Sequence, residues 1–200
     1  MHDGNERLGR DVAVLAAMAG QMPEYLDSDI LYWPAPGAGM PALTLGGYLL
    51  REQRLLALRH LLSAPQQAQL DAAVAQFNAA LADRVVRFET KAHKELEARL
   101  RQWEETVKDM DRGSFDRSSN YDTAVETRAI IHALLDRLSM PPYRAEDHPQ
   151  QHLALLDTRL RNMWRPGDFV WPAEWTGAYP QAEYWWLYGA PRTVDSQTNS

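Results

Sequence analysis

The feature that most constrains this chain is the stretch 63–111. Apart from Pro65 near its start, it contains neither proline nor glycine. Within it Leu70, Val74, Phe77, Leu81, Val85, Phe88, Ala92, Leu96, Leu100, Trp103, Val107 and Met110 recur at close to 3.6 residues. That is the period of a straight α-helix, not the 3.5 of a left-handed coiled coil. The pattern predicts one long helix, roughly 70 Å end to end if unbroken. Trp103 falls in its core seam. Off that seam, Asp83–Arg87, Glu95–Arg99, Glu97–Arg101 and Glu104–Lys108 set an acid four residues before a base. Such pairs each add about 0.2–0.5 kcal/mol of helical support and read as a solvated face.

Shorter helices flank this spine. Residues 5–22 place Leu8, Val12, Leu15, Ala19 and Met22 on one face, and Pro23 is expected to end them. Thr44 caps a second helix, 45–62, with Leu45, Leu49, Leu55, Leu56 and Leu62 inward. Glu52, among those leucines, is either the flank of a wide apolar stripe or a buried acid with a partner such as Tyr48, and the flank is the leading reading. Ser63 and Gln66 form a capping-box pattern, so the link into the spine is very short and predicts an antiparallel hairpin. Gly113 suits the end of the spine, and 113–120 is a polar turn. A fourth helix covers 121–139, with Ala124, Ile131, Leu134, Leu135 and Leu138 inward, until Met140-Pro141-Pro142-Tyr143 breaks it. Asp147 is expected to cap a fifth, from His148 to Trp164, with Leu153, Leu156, Leu160, Met163 and Trp164 inward.

Two segments resist this pattern. Residues 23–43 hold four prolines and two glycines, yet also Tyr25, Ile30, Leu31, Tyr32 and Trp33. Residues 164–188 hold nine of the 19 aromatic residues, interrupted by Pro166, Gly167, Pro172, Gly177 and Pro180. So many rings argue against flexible linkers. The expected fold is therefore all-α: a bundle of about five helices around one long helix, with two irregular aromatic and proline-rich segments packed on it. Residues 1–189 form a single helical domain, and 190–200 a disordered polar tail.

The formal charge of −6 disfavours nucleic-acid binding by phosphate neutralisation. Without cysteine there is no disulfide, thiolate nucleophile or Cys-ligated metal. No apolar run reaches the 18 residues of a membrane span. At the N-terminus Asp3, Glu6 and Asp11 offset Arg7 and Arg10, unlike the basic start of a secretory leader. The expected setting is the cytoplasm. No Gly-x-Ser-x-Gly elbow or phosphate-binding loop is present.

Two constellations are candidates for function. The first is a groove framed by both aromatic segments, with Tyr32, Trp33, Trp171, Trp175 and Tyr184 as walls. Asp27 and Asp29 lie on its acidic edge with Glu24, Asp168 and Glu174. It would take a peptide, a sugar or a cationic ligand, although closing the core is the segments' expected main role. The second is His148 and His152, four apart on one helix, with His60 on an early helix. One early histidine and a late His-x-x-x-His pair in an all-helical chain resembles the metal-binding bundles of the DinB-like superfamily. That resemblance implies a divalent transition metal held by His60, His148 and His152. The chain departs from the pattern, because Pro149 lies inside the pair and His60 has no acidic neighbour in sequence. The leading expectation is a non-enzymatic interaction or scaffold protein without a cofactor, binding a protein or small ligand at the aromatic segments. The alternative is a metal-dependent enzyme of DinB-like or ferritin-like type. The unbroken apolar series across Val85, Phe88 and Ala92, with Val86 beside it, also suggests a homodimer crossing at the spine's midpoint.

Overall fold

The computed structural model describes residues 2–34, 37, 39–115, 121–144 and 146–192. Six α-helices dominate: α1 (His2–Asp27), α2 (Leu45–Ala57), α3 (Ala64–Ala82), α4 (Val85–Asp111), α5 (Tyr121–Leu138) and α6 (Asp147–Asn162). Two short strands, β1 (Trp164–Phe169) and β2 (Tyr188–Pro191), pair antiparallel. The all-α class expected from the sequence is what the chain adopts.

The spine is not one helix. It divides at Asp83 and Arg84 into α3 and α4. No proline or glycine marks the break, so sequence pattern carries no sign of it. The cause is tertiary. A straight helix over 63–111 would span roughly 70 Å, whereas a compact chain of this size has a radius of gyration near 16 Å. The halves take different partners: α3 lies chiefly along α1, and α4 against α5 and α6. At the break Arg84 leaves helical geometry, and its guanidinium makes two 3.0 Å hydrogen bonds to the Asp27 carboxylate. The apolar series survives the bend, and all its members are buried except the half-buried Val74 and Val85.

The expected hairpin of second helix and spine is also revised. The helix α2 ends at Ala57, followed by a 3-10 turn at Arg59–Leu61. It packs mainly on α5 and meets α3 through Tyr48, which stacks on Phe77 at 4.1 Å. The spine's midpoint is closed within one chain. Phe88 is fully buried between Phe77 and Tyr143, with ring centroids 6.3 and 4.8 Å away. Phe88 is thus covered within one chain, while Val86 beside it is 74% exposed.

Helix α1 runs through Pro23 to Asp27 instead of ending at the proline. An interior proline costs about 3 kcal/mol. Beyond it Tyr25 and Leu26 are fully buried, each worth roughly 1.5–3 kcal/mol, so tertiary burial outweighs the local penalty. At the other caps the reading was close. Thr44 Oγ1 accepts from Gly47 N at 2.9 Å, Gln66 Oε1 accepts from Ser63 N at 2.8 Å, and Gly113 has the positive φ of 70°. The cap of α6 is Glu146, one residue before Asp147.

The C-terminal segment contains a sheet where irregular chain was expected. Proline and glycine in both strands hid it. Gly189 shows why a glycine belongs there: its φ is 137°, and an added Cβ would lie 2.1 Å from the Arg165 carbonyl oxygen. Between the strands, 3-10 turns at Ala173–Ala178 and Trp185–Leu187 bring Phe169, Trp171, Trp175, Tyr179, Tyr184 and Trp186 into one series of ring contacts. Of the expected tail, Ala190 and Pro191 pair in β2, and 193–200 lie outside the described residues.

Candidate functional site

Two residues of α4, Lys91 and Glu95, hold the first aromatic segment at both of its ends. Lys91 is buried. Its Nζ donates to the carbonyl oxygens of Tyr25, Ser28 and Ile30 at 2.7, 2.8 and 2.8 Å, and stands 4.0 Å from the Tyr25 ring centroid. It thus joins Ser28 N and Oγ on the Tyr25 carbonyl and adds two carbonyls just beyond the C-terminus of α1, where the helix dipole also favours a cation. Burial pushes the Lys91 ammonium below its ordinary pKa. One turn further, Glu95 is fully buried at the N-terminus of α2. Its Oε2 accepts from Gly46 N at 3.0 Å, and Arg99 Nε stands 3.4 Å from Oε1. Burial raises the Glu95 pKa, opposed by the Gly46 N–H, Arg99 and the Thr44 side chain. The Glu95–Arg99 pair had read as part of a solvated face. Its acid is instead a buried anchor, with Arg99 half-buried beside it. An added Cβ at Gly46 would come within 2.4 Å of Ile130, so this close approach needs glycine.

From α1 the chain then runs along α4. Asp27 meets Arg84, and Arg87 at 3.5 Å. Ser28 and Ile30 meet Lys91, and Tyr32 lies under Arg99 at 5.3 Å. Trp33 and Leu43 close the loop with two backbone hydrogen bonds of 3.0 and 2.9 Å, and Trp33 sets its edge against Tyr25. Beside the loop lies a groove of about 190 Å³, with Leu26, Leu31 and Val86 as apolar lining and Asp29, Arg87 and Lys94 among its charged residues. Ile30, Tyr32 and Met40 on the loop are 49%, 47% and 38% exposed.

The second aromatic segment caps the opposite half of α1. Glu174 accepts from Arg7 at 2.8 Å. Arg54 of α2 donates to Asp11 through Nε and Nη2, at 3.1 and 2.7 Å, and lies 3.8 Å over the Trp175 ring. Trp171 Nε1 donates to the Asp122 carbonyl at 2.8 Å. Tyr184 is buried against His132, Tyr179 and Trp186.

The sequence candidates therefore fall into three places. Asp27, Asp29, Tyr32 and Trp33 gather at one end of α1. Trp171 and Trp175 sit near Asp11, sixteen residues away along that helix, or roughly 24 Å. Tyr184 is inside the cap. Among the described residues the two segments do not frame a shared groove. Nor do the histidines assemble. His148 is exposed, His152 Nε2 lies 3.3 Å from Glu104, and His60 is exposed on the 3-10 turn after α2. Among the described residues no three or more His, Asp or Glu side chains converge as metal ligands do. The constellation behind the DinB-like resemblance is thus not brought together: α6 packs on α4, while His60 lies beside Arg59, which turns to Asp71 of α3.

Sequence reading missed the chemistry of α2. Glu52 is buried, not flanking, and burial outweighs nearby Arg137 to push its carboxyl up to about 7. Arg51 and Arg54 fall on the side of α2 facing Asp11 and the tryptophans. Their three-residue spacing was the available signal. No family model, curated protein or solved structure matches the chain, so the geometry carries the functional reading.

Proposed function

We propose that this chain is a non-enzymatic interaction protein, and that its docking face is the 28–43 loop with the groove against α4. The observation that carries this is the exposure of Ile30, Tyr32 and Met40 on a loop held at both ends, beside a groove lined by exposed Val86. Exposed apolar groups gathered on a fixed surface favour recognition. Charge suggests the partner. The chain carries −6 overall and only three lysines, yet Lys91, Lys94 and Arg87 all line this groove. An acidic segment bearing an apolar side chain fits it. The test is selection from a displayed peptide library on the wild-type chain and on Val86→Arg. Sequences pairing acidic with apolar residues should be enriched and lose at least about tenfold in affinity, or 1.4 kcal/mol, on the variant. No enriched pattern, or equal binding to both proteins, would sink the proposal.

A further inference from the structure

We propose a second site: the cavity between α1, α2, the start of α5 and the C-terminal cap binds a small zwitterion of the free amino-acid type. The cavity is about 250 Å³, below the roughly 300–1,000 Å³ of sites for drug-sized ligands. Its apolar wall is Trp171, Pro172 and Trp175, and α2 supplies Leu50, Arg51 and Arg54.

The charges along this cavity are unequally satisfied. Arg54 is fully engaged, by Asp11, by the Tyr179 hydroxyl at 3.3 Å and by the Trp175 ring. Arg51 is not. Its Nη1 donates to the Gly47 carbonyl at 3.0 Å, and its Nε stands 3.9 Å from Asp11 Oδ1. That separation is too long for a hydrogen bond, and Nε is buried without a partner. Asp11 is already committed to Arg54. The Trp175 Nε1 is a second buried donor without an acceptor. Both atoms are closed off from the cavity itself, so a ligand there would meet the rest of the Arg51 guanidinium, which makes one hydrogen bond among the described residues and whose planar fork matches an acceptor with two oxygens. A carboxylate supplies that.

The other side of the cavity asks for the opposite charge. Glu126 of α5 lines it, acts on Arg51 through space, and makes no hydrogen bond or ion pair with a described residue. Asp122 lies one turn before it in the same lining. A simple dianion would face Asp11, Asp122 and Glu126, and a simple cation would face two guanidiniums. A ligand with a carboxylate toward Arg51 and an ammonium toward Glu126 satisfies both sides, and its side chain packs on Trp171 and Pro172. This site shares no residue with the docking face.

Isothermal titration of the full chain with the standard free L-amino acids tests the assignment. At least one with an apolar side chain should bind. Its amide, which lacks the carboxylate, and its N-acetyl form, which lacks the ammonium, should each bind at least about tenfold more weakly, as loss of a charged hydrogen bond implies. Glu126→Gln should weaken the free amino acid and leave the N-acetyl form unchanged. Arg51→Gln should weaken the free amino acid and leave the amide unchanged. If circular dichroism shows that Arg51→Gln does not fold, the half-buried Glu126→Gln and the two blocked ligands decide alone. No binding by any free amino acid at millimolar concentration overturns the proposal. Equal binding of the N-acetyl form overturns it in favour of a plain anion site.

Discussion

Replacing Glu52 with glutamine should stabilise this protein, and by an amount that depends on pH. Glu52 lies buried on α2, and Arg137 of α5 is the cation acting on it. Two effects oppose each other there. Burial disfavours the carboxylate, and the guanidinium favours it. Burial is the larger, and the carboxyl rises from 4.5 to about 7. At about 1.36 kcal/mol per pH unit, that difference corresponds to ~3 kcal/mol. The sign follows from proton counting. Between pH 4.5 and 7 the folded chain keeps this proton while the unfolded chain has released it. Folding therefore takes up a proton, and stability falls as pH rises through that window. Below it the group contributes nothing, and above pH 7 the full penalty is present.

Glutamine keeps the shape and cannot ionise. The stability of Glu52→Gln minus that of wild type should be near zero at pH 4 and grow to ~3 kcal/mol by pH 8. Urea unfolding followed by tryptophan fluorescence at constant ionic strength measures both proteins. Equal m-values would confirm that the unfolded states are comparable. The other ionisable groups are common to both proteins, so they largely cancel in the difference. A difference that stays flat with pH would refute the reasoning. A variant less stable than wild type at pH 8 would show that Arg137 wins over burial.

Two further outcomes follow from the same packing. Trp103 is fully buried in α4, and Trp103→Ala should cost about 3–5 kcal/mol in denaturant unfolding; a change within ~0.5 kcal/mol would place that face in solvent. Lys91→Met keeps the apolar stem but removes the ammonium's hydrogen bonds to the carbonyls of Tyr25, Ser28 and Ile30. Amide exchange in 28–34 should then accelerate at least about tenfold relative to α5, as loss of charge-assisted hydrogen bonds implies, and unchanged exchange would show that Lys91 does not anchor the loop.

The fold was legible where a side-chain period reports burial directly. The seam from Leu70 to Met110 and the inward faces of the first and fourth helices were read correctly at most positions, because a 3.6-residue apolar period has few other uses. The break at Asp83 and Arg84 was not legible. It answers to what α3 and α4 each pack against, and to Asp27 fifty-seven residues away, and no local residue encodes either. Pro23 misled for the converse reason, since its local penalty was plain and the burial of Tyr25 and Leu26 beyond it was not.

The candidate sites were hidden by an ambiguity in charge spacing. Glu95–Arg99 and Glu104–Lys108 have the same i,i+4 pattern, and only the first has its acid fully buried. Position on the helix separates them. Glu95 lies beside Leu96 and one turn from Ala92, so its side chain borders the seam. A charge there is retained only if something polar meets it. The N-terminus of α2 does so through Gly46, just as the C-terminus of α1 meets Lys91. One helix thus presents a cation to the end of its neighbour and an anion to the start of the next, each matched to the local dipole. The arrangement fixes both ends of the 28–43 loop. If the proposed docking face is used, Ile30 and Tyr32 stand on backbone that Lys91 and the Trp33–Leu43 pair already hold, so binding there would sacrifice little further conformational entropy.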